Sequence, residues 1–182
     1  MCFLVPALLL VSGISIASSS NSSGGNHTDQ DRGLKCPPYF TLVRSKCYHV
    51  GPHYITWAES VAYCRSINCG YGYGYAKLAE FPCPDQLYAV ILEFLACQYP
   101  PEKGDRCFWL GAEEHRYHDS YASFRWISTG TPIVYNSWAP GRPDTHLRNS
   151  AIEICTIIMY NFYDISKTYC RYPLCEADPI YI

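Results

Sequence analysis

Trp138-Ala139-Pro140-Gly141-Arg142-Pro143-Asp144, then Glu153-Ile154-Cys155, Phe162-Tyr163-Asp164, Cys170 and Cys175-Glu176 make up the stretch on which the reading of this chain turns. Acidic side chains, an X-Pro bond and cysteines fall within one short length. Three carboxylates, Asp144, Glu153 and Asp164, carried on surface loops would offer the hard oxygen ligands that a calcium ion takes. The rest of the sequence reads as the scaffold that holds them.

Outward from that stretch, the 182 residues are 48% hydrophobic and 16% charged, a balance that belongs to a folded chain of one domain. A formal charge of -2 gives no attraction to nucleic acid or to an anionic membrane. Residues 1–17 lack charge and carry an apolar run, Phe3 to Val11, followed by small residues at Ser15, Ala17 and Ser18. This is the pattern of a secretory signal peptide, and the run is too short to span a bilayer. Residues 18–35 are rich in Ser, Asn and Gly and read as a flexible leader, with N-glycosylation acceptors at Asn21 and Asn26. If Cys2 leaves with the signal, ten of the eleven cysteines remain, an even number suited to five bridges in an oxidising compartment. No CxxC pair or Cys/His cluster has zinc spacing. His115, His118 and Asp119 lie in a polar segment and form no credible metal site, and no serine stands in a nucleophile turn, so no enzyme is expected.

The elements follow in order. Cys36 to Val50 alternates around Arg44-Ser45-Lys46 as a hairpin bridged by Cys36 and Cys47. Thr56-Trp57-Ala58-Glu59 is a capping box, and Trp57, Val61, Cys64 and Ile67 fall on one face of the helix it starts. Asp85 is expected to cap a second helix with an apolar stripe of Leu87, Val90, Ile91, Phe94 and Leu95. Between the helices, Gly70 to Tyr75 alternates glycine with tyrosine. Four strands follow, at Phe108–Ala112, Phe124–Ile127, Ile152–Ile158 and Tyr169–Cys175. Helices first and strands after argue an α+β domain with antiparallel sheets. The loop from Ser128 to Ser150, long and rich in Pro and Gly, is the expected ligand-binding loop.

This order of parts resembles the C-type lectin family over about Cys36 to Glu176, on Trp109-Leu110-Gly111, the Trp138 to Asp144 loop, Glu153 ahead of Cys155, Asp164 ahead of Cys170, and Cys175-Glu176. The resemblance implies a C-type lectin-like fold across residues 36–182, with two helices on small antiparallel sheets, a long ligand-binding loop and disulfide staples. It implies Cys64–Cys175 and Cys155–Cys170, with Cys36–Cys47 marking the long form. Cys69, Cys83, Cys97 and Cys107 allow three connectivities, and short separations favour Cys69–Cys83 and Cys97–Cys107.

The resemblance also places a calcium-dependent sugar site at Arg142, Asp144, Glu153, Tyr163 and Asp164, with the Arg142-Pro143 bond cis. Asp144, Glu153 and Asp164 match as metal ligands. Arg142 and Tyr163 stand where two oxygen donors are expected, so the calcium site is incomplete. An arginine has no acceptor, and its charge opposes a bound cation; alternatively, Arg142 itself takes the ion's place beside the carboxylates. The implied function is glycan recognition by a secreted lectin in innate immunity. The alternative is a calcium-independent module on the same scaffold that binds a protein ligand. Nothing in the sequence supplies a stalk that would set an oligomeric state.

Overall fold

The computed structural model describes residues 33–70, 74–116, 123–135, 137–144, 146–157 and 159–181. The expected signal peptide, the acceptors Asn21 and Asn26, His118, Asp119 and the middle of the Gly-Tyr run lie outside these residues.

Strand β1 (Leu34–Lys35) pairs antiparallel with β10 (Ile180–Tyr181), so ordered pairing starts two residues ahead of Cys36 and joins the two ends of the domain. The hairpin is β2 (Thr41–Val43) and β3 (Lys46–Val50), turned at Arg44, whose φ of 57° is left-handed. Helix α1 (Trp57–Ser66) starts at the capping box as expected: the Thr56 hydroxyl accepts the Glu59 amide, and Glu59 accepts the Thr56 amide at 2.9 Å. Its buried side chains, Trp57, Ser60 and Cys64, sit against β4 (Lys77–Leu78), Trp109 and Cys175.

Helix α2 (Pro84–Val90) differs at its start. Cys83 is the N-cap with extended backbone, Pro84 takes the first turn where its missing N–H is not needed, and Asp85 lies one residue inside. The apolar stripe runs on through a wider π turn, Ile91–Leu95, into a last α turn, Ala96–Gln98, burying Leu87, Val90, Phe94 and Leu95.

The large sheet runs β2-β3-β9-β5-β7-β8, from β5 (Cys107–His115), β7 (Ser150–Cys155), β8 (Phe162–Ser166) and β9 (Tyr172–Ala177), with β6 (Ser123–Trp126) on β5 and β4 on β9. The expectation of purely antiparallel strands is corrected at one place: β5 and β9 run parallel, Phe108 opposite Tyr172. The third expected strand stops at Cys155 rather than Ile158, and β8, which was not expected, carries Tyr163 and Asp164. Phe108, Leu110, Ile152, Ile154, Phe162 and Leu174 form the sheet's part of the main core.

Three disulfides join described cysteines. Cys36–Cys47 and Cys64–Cys175 are as expected. The second closes a separation of 111 residues, worth about 4–5 kcal/mol in the loop-entropy description. Cys155 bonds to Cys107, not to Cys170. The register sets this partner, because Cys107 and Cys155 face each other across β5 and β7. Cys69, Cys83 and Cys170 are free thiols, so neither Cys69–Cys83 nor Cys155–Cys170 forms; Cys97 is disulfide-bonded, but not to Cys107.

Candidate functional site

The long loop is tied at both ends by buried glutamates that sequence reasoning passed over. Glu80, 4% exposed, accepts the Ser128 amide at 2.7 Å and the Ser128 hydroxyl, and Lys77 neutralises it from 3.0 Å. At the other end Glu114 accepts the Ser150 amide at 3.1 Å and hydroxyl at 3.2 Å and pairs with Arg116. Burial works to raise the pKa of Glu114, but the Ser150 amide and Arg116 outweigh it, and the group sits below the ordinary glutamate value. In sequence these two glutamates look like surface charges; the signal missed is that each borders a strand at a loop root.

Within the loop, the Trp138 indole packs on Phe124 at 5.0 Å and Phe162 at 5.8 Å. Beside it, the Ala139 amide donates to the Phe162 carbonyl and the Phe162 amide to Ser137. This ladder lays the loop along β8. Gly141, at φ 78°, then turns the chain back, and the Arg142-Pro143 bond is cis, as the resemblance implied.

The turn delivers Arg142 and Asp144 to Asp164. The Asp164 side chain is fully buried and receives the Asp144 amide at 3.1 Å and 3.0 Å on its two oxygens. Arg142 Nη1 donates to the Asp164 carboxylate at 3.3 Å and to its carbonyl at 3.2 Å. The same guanidinium lies over the Tyr163 ring, 3.5 Å from its centroid. Asp144 turns its own oxygen to the His146 amide at 2.9 Å, an Asx turn rather than an outward-facing ligand. A carboxylate as buried as Asp164 requires a counter-charge, and Arg142 provides it.

Glu153 makes no hydrogen bond to this group, though the Arg142 charge reaches it. In the β7–β8 register Ile152 faces Asp164 and Glu153 faces Tyr163. Side chains alternate across a strand, so Glu153 and Asp164 stand on opposite faces of the sheet. Glu153 is 3% exposed and pairs instead with Arg171, Nη2 to Oε1 at 3.5 Å, with a closer bond from Arg171 Nε to Oε2. Burial pushes its pKa up, and Arg171, then Arg142, pull against that shift. The assignment of Glu153 as a ligand rested on its place two residues before Cys155. Because Cys155 bonds to Cys107, it is not the core cysteine that the count assumed.

The donor set therefore does not fit calcium. Of the three expected carboxylates, one is on the far face, one has both oxygens engaged by Asp144 and Arg142, and one closes a turn, with a fixed cation among them. Among the described residues, the group of three possible ligand atoms drawn together is Cys107, Glu153 and Cys155, and the disulfide there removes both thiolates.

No family model matches the chain. It is similar to lithostathine-1 of Mus musculus, 25% identical over 149 residues, which is 80% of each chain. Among solved structures it is similar to the C-type lectin CEL-I from Cucumaria echinata, with a TM-score of 0.62 at 19% identity, over 79% of this chain and 97% of that one. It is also similar to a calcium-independent type II antifreeze protein, with a TM-score of 0.60 at 19% identity, over 82% of this chain and 99% of that one. The fold is that of a disulfide-stapled C-type lectin-like domain. On fold and sequence relatives together, the chain is similar to the lithostathines and to C-type lectins, and it has their fold.

Proposed function

We propose that this chain is a secreted carbohydrate-binding protein that recognises surface glycans in innate immunity, and that its cis-proline loop does so without calcium. The observation that carries this reading is Arg142, bonded to Asp164 and stacked on Tyr163 where a bound cation would need oxygen ligands. A guanidinium donates to ligand oxygens directly, so Arg142 and Tyr163 take the contacts that an ion would mediate. A calcium-independent antifreeze protein and a lectin both stand among the fold's neighbours, so loss of the ion is compatible with this scaffold. Three disulfides favour an oxidising compartment, in line with a signal peptide over 1–17, a leader with Asn21 and Asn26 glycosylated, and one domain over 36–182. Among the described residues no helix is long and apolar enough to cross a membrane. The reading is of a binding protein rather than a catalyst.

A panel of immobilised glycans probed with the wild type and with Tyr163→Ala tests it. Retention of a subset of glycans by the wild type and its loss in the variant supports the site. A wild type that retains no glycan contradicts the lectin reading.

A second reading, capture of a protein ligand, has its own support: the turn between β7 and β8 presents Ile157 at 66% and Met159 at 85% exposure. Exposed apolar residues close together on a turn suit a protein contact.

A further inference from the structure

Away from the cis-proline loop, where β5 and β9 begin side by side, the guanidinium of Arg106 lies between two tyrosine rings, 5.2 Å from the Tyr99 centroid and 5.7 Å from that of Tyr172. Arg44, Arg116, Arg142 and Arg171 each pair with a carboxylate. The Arg106 side chain makes no ion pair or hydrogen bond with a described residue; only its backbone is engaged, the amide donating to Thr156 Oγ1 at 3.0 Å and the carbonyl accepting the Thr156 amide at 2.9 Å. The row of rings continues. Tyr54, 53% exposed, packs edge-on to Tyr172 at 5.2 Å, and its hydroxyl accepts from Arg171 Nη1 at 3.0 Å. Tyr169, 55% exposed, lies against the same Arg171.

These residues come from four segments and are held in place before any ligand arrives. The Cys107–Cys155 disulfide fixes the residue after Arg106, and the parallel pair Phe108 and Tyr172 fixes the ring beside it. Burial raises the pKa of Tyr99, so its hydroxyl stays neutral and available as donor or acceptor. Flat rings next to an uncommitted guanidinium offer a pyranose its two needs, an apolar face to stack on and a planar fork for an oxyanion. We propose that the Tyr99–Arg106–Tyr172–Tyr54 row is a second saccharide site, selective for sugars that carry a carboxylate or sulfate. Exposed Glu102 and Asp105 offset Lys103 and Arg106 in this segment, so capture works at contact rather than through a long-range field. The salt dependence is then that of a single ion pair.

The test is calorimetric binding of a chondroitin sulfate tetrasaccharide, a hyaluronan tetrasaccharide and neutral chitotetraose to the full chain, its Arg106→Ala and Arg106→Lys variants, and Arg142→Ala. The expected result is binding of one or both acidic probes, about tenfold or more weaker in both Arg106 variants. The sulfated and carboxylated probes separate the two sources of the oxyanion. The charge-conserving R106K keeps the test valid if R106A fails to fold. Loss in R142A with Arg106 variants intact would assign acidic sugars to the cis-proline loop and overturn the proposal. So would equal binding of the neutral probe, equally effective competition by a polyglutamate peptide, or no binding of either acidic probe. Failure at the cis-proline loop alone leaves this site standing, because the two are read by different variants.

Discussion

At the scale of single residues, Arg142 has the largest consequences. It supplies the counter-charge for a carboxylate with no exposed surface, and removing one partner of such a pair leaves the other charged and buried. Arg142→Gln should cost about 2–3 kcal/mol in urea unfolding at neutral pH, below the cost of about 3–5 kcal/mol for a fully enclosed pair, because the arginine retains 17% exposure. A change within a few tenths would mean that Asp164 is held by the Asp144 amide alone. Glu153 and Glu114 make opposite predictions for pH. Burial raises the folded pKa of Glu153 above its ordinary 4.5, so the folded state holds a proton that the unfolded chain has lost. Its contribution to stability is therefore full below the unfolded value and is lost as pH rises through the folded one. Glu114, with its folded pKa depressed, contributes above the unfolded value and loses that contribution as pH falls through the folded one. Unfolding measured from about pH 7 down to about pH 3 should show Glu153→Gln flattening the mildly acidic limb, and Glu114→Gln flattening the strongly acidic one. Identical pH slopes in wild type and both variants would contradict these assignments.

At the scale of elements, the strand pair β5–β7 decides what the chain can bind. Its register sets Cys107 opposite Cys155, and the register of β7 with β8 turns Glu153 away from Asp164. Non-reducing peptide mapping should recover a linked pair containing Cys107 and Cys155, with Cys170 labelled as a thiol. A Cys155–Cys170 pair would shift the register argument and return Glu153 to the loop. The same pair shows what was legible in the sequence. The capping box at Thr56 and Glu59 and the hairpin at Arg44 are local chemistry, written in adjacent residues, and they were readable; the cis Arg142-Pro143 bond followed from the resemblance. The face on which Glu153 lies depends on where a strand begins and which partner it meets, and both are set by distant packing. Strand β8 escaped notice because Phe162 to Ser166 follows a short turn with left-handed Met159 and Tyr160, residues that carry no turn signature. Glu80 and Glu114, which pin the loop roots, were unreadable for the same reason: their partners Ser128 and Ser150 lie 48 and 36 residues away.

At the scale of the whole molecule, strands from both ends of the domain meet in β1–β10, and Cys64–Cys175 ties the first helix to the last strand of the large sheet. This closed frame carries a long loop whose roots are fixed and whose crown sets Arg142 against Asp164 and Tyr163. The tyrosine-arginine row lies where the central strands β5 and β9 begin. If Arg142 stands in for the ion, ligand capture by the loop owes nothing to calcium. The most direct measurement is the affinity of the full chain for its best-retained glycan, taken in millimolar calcium and again in excess chelator. The account predicts equal affinities, lost in both conditions by Tyr163→Ala; binding abolished by the chelator would contradict it.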